Sequence, residues 1–192
     1  MRITASAALV LALAVSALAA PPVPRKSPEF TITEPSGKQI LLSSLKGKVV
    51  VFTFMYTTCP HCQREAQMVT KLYKELGPKG MEAVGVAFND ANGPLVAQFV
   101  KEFNVGYPVG YATREAVQSY LGISVMDRYV VPQIAVIDRK GMIVEQSDAL
   151  QGTPALQDEN SLRQIVMKHL GAATSPTTTS SAKKPASATK SN

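Results

Sequence analysis

The stretch Lys48–Cys62, KVVVFTFMYTTCPHC, decides the fold. From Lys48 to Met55 it is an apolar run rich in β-branched and aromatic residues, without polar alternation. Such a run reads as a strand buried on both faces. Tyr56-Thr57-Thr58 forms a loop. From Cys59 the period becomes helical: Ala66, Val69, Leu72, Tyr73 and Leu76 fall on one face, and Gly77-Pro78 ends the helix. Cys59 therefore stands where a buried strand hands over to a helix. The unpaired N–H groups of a helix start stabilise a thiolate. Cys62 follows one turn later, within reach of a mixed disulfide on Cys59.

Working outward, Phe30 to Thr33 and Gln39 to Leu42 flank Pro35-Ser36-Gly37 and predict a hairpin. Met81 to Phe88 is a second buried strand. Pro94 opens a helix to about Phe103, Tyr107 to Tyr111 is a short strand, and Thr113 caps a helix to Leu121. Gln133 to Asp138 and Met142 to Gln146 pair around Arg139-Lys140-Gly141. An amphipathic helix from Asp158 or Ser161 to Leu170 closes the chain. This order is that of an α/β fold with a central mixed sheet flanked by helices.

The remaining sequence sets the boundaries. With 192 residues, the chain accommodates one domain plus extensions. Residues 1–19 carry Arg2, an uncharged apolar run and Ala17-Leu18-Ala19, the pattern of an export signal cleaved after Ala19; an uncleaved N-terminal membrane anchor is the alternative. Export places the chain in a periplasmic or extracytoplasmic space where disulfides persist. Residues 20–28, with Pro21, Pro22, Pro24 and Pro28, read as a linker, residues 29–170 as the folded domain, and residues 171–192, rich in Ala, Ser, Thr and Lys, as a disordered tail. The formal charge of +6 resides in the ends: Arg2, Arg25, Lys26, Lys183, Lys184 and Lys190 leave 14 basic against 14 acidic residues between them. A nucleic-acid groove is unsupported.

The chemistry concentrates in Cys59-Pro60-His61-Cys62. Two cysteines cannot supply a structural zinc site alone, and the only other histidine, His169, lies on the last helix. A strand, C-x-x-C, helix context is a redox signature. Pro60 takes a first-turn position where a missing N–H costs little. The imidazolium of His61 would favour a Cys59 thiolate by ~1 kcal/mol, or about 20–30 mV for a two-electron couple.

On these residues the chain resembles the thioredoxin-fold superfamily. VVVFTFM, TTCPHC and the following helix are similar to its active-site unit, and Val131-Pro132 before QIAVID to its cis-proline strand. The extra helix and strand between Asn89 and Gln118, the N-terminal hairpin and the leader are similar to the TlpA/ResA group of extracytoplasmic thiol–disulfide oxidoreductases, related to the redoxin and AhpC/TSA proteins. The resemblance implies Cys59 as nucleophile, Cys62 as resolving thiol and Val131, Pro132 and Pro60 as client-binding positions. It also implies Glu65, in C-x-x-C-x-x-E, as a proton relay; a surface glutamate is the alternative. No cofactor beyond the cysteines is implied. The implied partners are protein thiol or disulfide clients and a membrane electron donor or acceptor, with the chain itself a monomer.

Three positions depart from the family pattern. Thr53 replaces thioredoxin's buried acid, Thr58 replaces the tryptophan before the first cysteine, and Pro60-His61 is the dipeptide of the oxidase DsbA. Reductase or isomerase activity is expected, with a DsbA-like oxidase and a thiol-specific peroxidase as alternatives. A peroxidatic cysteine wants threonine where Tyr56 stands. A copper carrier of the SCO type wants C-x-x-x-C and a nearby histidine, and His169 is far along the chain.

Overall fold

The computed structural model describes residues 21–171. The export signal, its cleavage site and nearly all of the expected tail lie outside the described residues. Eight strands form one mixed sheet: β1 (Arg25–Lys26), β2 (Thr31–Thr33), β3 (Gln39–Leu41), β4 (Val49–Met55), β5 (Met81–Ala87), β6 (Val109–Tyr111), β7 (Gln133–Ile137) and β8 (Met142–Gln146). Their order is β1-β8-β7-β4-β5-β6-β2-β3. The helices are α1 (Pro60–Leu76), α2 (Gly93–Glu102), α3 (Arg114–Leu121), α4 (Pro154–Gln157) and α5 (Glu159–Leu170).

β4 lies at the centre, parallel to β5 and antiparallel to β7. All seven of its residues are buried. Val49, Val51 and Met55 pack under α1 and α5, while Val50, Phe52 and Phe54 face the opposite layer. There Phe30, Phe52, Phe54 and Tyr120 interlock, with ring centroids 4.2–5.4 Å apart in the pairs involving Phe52 and 5.3 Å between Phe30 and Tyr120. Aromatic pairs of this kind add about 0.5–1.5 kcal/mol beyond simple burial. This cluster ties the N-terminal hairpin and α3 to the sheet.

α1 buries Cys62, Glu65, Ala66, Val69, Thr70, Leu72 and Leu76, a stripe at helical spacing. Tyr73, expected within the stripe, is only half-buried. Gly77 ends the helix, and Gly80 reverses the chain with φ of 105° before β5 starts. Thr113 caps α3 by accepting from Ala116 N at 3.2 Å, and Asp158 caps α5 by accepting from Ser161 N at 2.8 Å.

Two elements differ from expectation. The segment read as a linker contributes β1, whose Arg25 and Lys26 pair with Ile143 and Met142. The Arg25 guanidinium donates to Tyr120 O and Gln146 Oε1. A two-residue edge strand among prolines has no periodicity, so only its partners define it. The folded unit thus starts before residue 29. The second element is α4, a single turn opened by Pro154 and too short to show a helical pattern.

Between β5 and β2, Gly110 leaves no room for a side chain. A Cβ there would overlap Thr33 O and come within 2.6 Å of Ile32 Cγ2. Gly110→Ala should separate β2 from β6 and cost about 1–3 kcal/mol, read as a lowered urea midpoint with an unchanged denaturant slope. An unaltered midpoint would show that the hairpin edge yields freely.

Candidate active site

The sulfur sites follow from the junction between β4 and α1. Cys59 is the residue before the first helical turn, its backbone extended, and Pro60 begins the helix. Cys59 N donates to Tyr56 O at 3.1 Å, and Gln63 N donates to Cys59 O at 3.0 Å. The loop is pinned from beyond the end of β5, where Thr57 N donates to Asn89 Oδ1 at 3.2 Å and Asn89 Nδ2 donates to Thr57 Oγ1 at 3.1 Å, and from α1, where Gln63 Nε2 donates to Thr57 O at 3.1 Å.

Both cysteines are free thiols; Cys59 is partly exposed and Cys62 buried. The Cys59 thiol faces the Val131 carbonyl, Sγ to O 3.9 Å. Val131-Pro132 is a cis peptide, as the resemblance implied. Its loop is held by Gln133, whose Nε2 donates to Val130 O at 2.8 Å and Asp148 O at 3.1 Å. Cys59, Cys62, Pro60, Val131 and Pro132 thus share one end of the sheet.

The surroundings of the two sulfurs differ. Burial pushes the Cys62 thiol far up, and the adjacent Cys59 and Glu65 push it further. Glu65 is buried, 5% exposed, and is not a surface glutamate. Loss of solvation, and then the charge of Cys59, raise its carboxyl well above the usual range. Neither carboxyl oxygen has a protein partner.

His61 is exposed, and its Nδ1 lies 2.9 Å from Arg64 Nη2. A guanidinium only donates, so Nδ1 is the acceptor in this contact. The side chain expected to act on Cys59 thus engages Arg64, one turn further along α1. Both side chains line a groove with Glu65, Met68, Pro132 and Gln157.

Sequence reading missed the residues that brace these loops. Tyr56 OH and Tyr129 OH are 2.6 Å apart, Arg114 Nη1 donates to Tyr129 OH at 3.1 Å, and the guanidinium sits 5.9 Å from the Tyr56 ring centre. Asn89 and Gln133 belong with them. Asn89 directly follows a buried strand, which was the one available signal. His169 lies in the last turn of α5. The neighbouring Leu170 packs by Gly80, ahead of β5, at the end of the sheet away from the cysteines. Among the described residues, no group of three or more His, Cys, Asp or Glu side chains could hold a metal ion.

A thioredoxin-type sheet, a half-exposed thiol at a helix start, a buried thiol one turn on and a cis-proline beside them define a thiol–disulfide oxidoreductase, and this chain is one. More particularly, residues 23–146 match the AhpC/TSA family, and the chain belongs to it. It is 29% identical over 122 residues to the thiol-disulfide oxidoreductase ResA of Bacillus thuringiensis strain Al Hakam, covering 64% of this chain and 67% of the relative. With ResA of a Bacillus cereus strain the identity is 30% over 125 residues, covering 64% and 67%. The crystal structure of a thioredoxin-family thiol:disulfide interchange protein from Chlorobium tepidum TLS superposes with a TM-score of 0.64 at 27% identity, covering 79% of this chain and 99% of that one.

The buried carboxyl leads to a stability prediction. A folded-state pKa raised above the unfolded value leaves stability intact below the unfolded pKa, and stability falls as pH climbs from there toward the folded one. Between the two the slope is at most about 1.4 kcal/mol per pH unit. Glu65→Gln should therefore stabilise the protein at pH 7, and the gain should vanish below about pH 4. Urea titrations across that range check this; a gain independent of pH would mean that Glu65 folds without its proton.

Proposed function

We propose that this protein is exported and passes electrons to the disulfides of protein clients, with reduction or isomerisation favoured over oxidation. The observation that carries this reading is the unequal exposure of the two thiols beside the cis-proline: one sulfur open to a client, the other behind it. The Cys59 thiolate attacks one sulfur of the client disulfide. The client S–S bond breaks, a client thiolate leaves, and a Cys59–client mixed disulfide forms. The buried Cys62 thiol gives its proton to the Glu65 carboxylate and attacks Cys59 Sγ. The mixed disulfide breaks, and the second client thiolate departs and takes up a proton. Two electrons have moved to the client, and Cys59–Cys62 is now a disulfide.

Val131, Pro132 and Pro60 are proposed to seat the client chain. An extended client beside Val131 meets its carbonyl and apolar side chain while the client sulfur approaches Cys59. His61, held by Arg64, is proposed to tune the Cys59 thiolate modestly. Re-reduction of the disulfide is assigned to a membrane-bound dithiol donor, and the protein is proposed to act as a monomer. Among the described residues, no helix is long and apolar enough to cross a membrane.

Two measurements test this reading. With Cys62→Ser, client proteins should accumulate as covalent adducts of Cys59; trapping on Cys62 in Cys59→Ser, and not the reverse, would invert the roles. Equilibration with glutathione should place the Cys59–Cys62 potential between about −270 and −120 mV, the values for thioredoxin and DsbA. A potential at or above the upper value would make the protein an oxidase. Rapid consumption of hydrogen peroxide would instead favour the peroxidase alternative.

A further inference from the structure

Behind the cysteine pair lie buried oxygens, of which the reaction above uses only those of Glu65. Thr53 Oγ1, Glu65 Oε1, Glu65 Oε2 and Tyr107 OH are all buried without a hydrogen-bond partner in the protein. They come from β4, from α1 and from the loop entering β6. Thr53 alternates along β4 onto the same face as Val51 and Met55, the face covered by α1. Glu65 lies on the buried stripe of α1 beside Cys62 and Ala66. Tyr107 is 4% exposed and belongs to the same core. Its hydroxyl faces Thr53, with Glu65 and Cys62 close enough for their charges to act on it.

Buried polar atoms almost always find partners, and a site with several orphans calls for an explanation. Phenylalanine at 107 would fill the same core volume without a hydroxyl to satisfy. Burial first, and then the charge of Glu65, hold the Tyr107 proton far more firmly than in water, so the phenol remains a donor at every working pH. A buried carboxylate needs donors to exist at all. The other groups near Glu65 do not meet that need. Cys59 and Cys62 on α1 add negative charge when ionised. Asp158 and Glu159 at the head of α5 line the neighbouring groove as acceptors. His61 and Arg64 on the exposed side of α1 engage each other.

We propose that Tyr107, backed by Thr53, is the positioning residue for Glu65: its hydroxyl donates to the carboxylate through a bridging water and keeps that carboxylate available to take the Cys62 proton. The proton still passes from Cys62 Sγ to Glu65, and Tyr107 keeps its own. The inference rests on the relay role of Glu65 given above. It adds that the acid thioredoxin carries at the Thr53 position has been replaced here by two hydroxyls and a carboxyl arriving from the helix.

The test follows resolution of a preformed mixed disulfide between Cys59 and thionitrobenzoate, measured by release of the coloured thiol across pH, together with carbon-13 titration of the Glu65 carboxyl. Tyr107→Phe should slow resolution near neutral pH and move the midpoint of the rise upward by roughly half to one pH unit, the ordinary worth of one neutral hydrogen bond. The carboxyl titration should move with it, and rates should converge at high pH. Thr53→Val should shift both the same way by less. A purely structural role would alter stability and leave both midpoints in place. Unmoved midpoints in Tyr107→Phe, or a downward shift, would overturn the inference. Glu65→Gln separates the two levels: if it abolishes the pH-dependent rise while Tyr107→Phe leaves that rise unmoved, the relay stands and the positioning role falls. If the rise survives Glu65→Gln, both fall.

Discussion

The architecture depends on the junction between a strand buried on both faces and a helix that begins before its own N–H groups have partners. A helix start leaves its first N–H groups without intrahelical acceptors, and burying that end would require caps for each. Here the end of β4 delivers the chain to the sheet's edge, so the first turn of α1 stays half in solvent with a sulfur, not an oxygen, at its head. The next turn is buried within the core. One C-x-x-C thus spans the boundary between water and protein interior. That boundary, more than any single contact, makes the two thiols chemically unequal, with one open to attack and the other protonated until a base relieves it.

Holding the boundary in place falls to polar contacts around the loops. Asn89 closes the Thr57 loop from β5, Gln133 closes the cis-proline loop, and Tyr56, Tyr129 and Arg114 join the two across the end of the sheet. The links from Asn89, Gln133 and Tyr56 are half-buried hydrogen bonds worth about 1 kcal/mol each, while that from Arg114 is exposed. Together they fix where Val131 O lies relative to Cys59 Sγ. A redox site of this kind is arranged mainly by backbone groups, whose positions these side chains secure.

This division explains what was legible in the sequence. The strand, the helix and the CPHC pair are local, and period and composition announced them over a short stretch of chain. The cis-proline was legible only through resemblance, since an X–Pro bond is ordinarily trans. The hairpin, the strand pair around Arg139-Lys140-Gly141 and the caps at Thr113 and Asp158 were read from turn and cap chemistry. β1 escaped because two residues have no period, and its pairing with β8 spans most of the chain. The loop braces escaped for the same reason: Tyr56 meets Tyr129, 73 positions away. Glu65 was legible as a candidate but not as a buried one, because its place on the inner stripe depends on what the sheet presents beneath it.

That last point bears on how such a site tolerates the loss of a strand-borne acid. With Thr53 on β4, the layer under α1 would hold no carboxyl unless one came from elsewhere, and the relay proposed for Cys62 would have no base. Glu65 reaches the same layer from the helix, one turn beyond Cys62, so the carboxyl and the thiol are fixed relative to each other by a single rigid element. A base on the same helix as its proton donor would keep their separation were the helix to shift against the sheet. A base on the strand would lose it. The hydroxyls of Thr53 and Tyr107 remain on the sheet side, so the anion's stabilisation, unlike its distance to Cys62, depends on how closely α1 seats on β4. Movement of the helix away from the sheet would therefore raise the affinity of Glu65 for a proton while leaving Cys62 within reach.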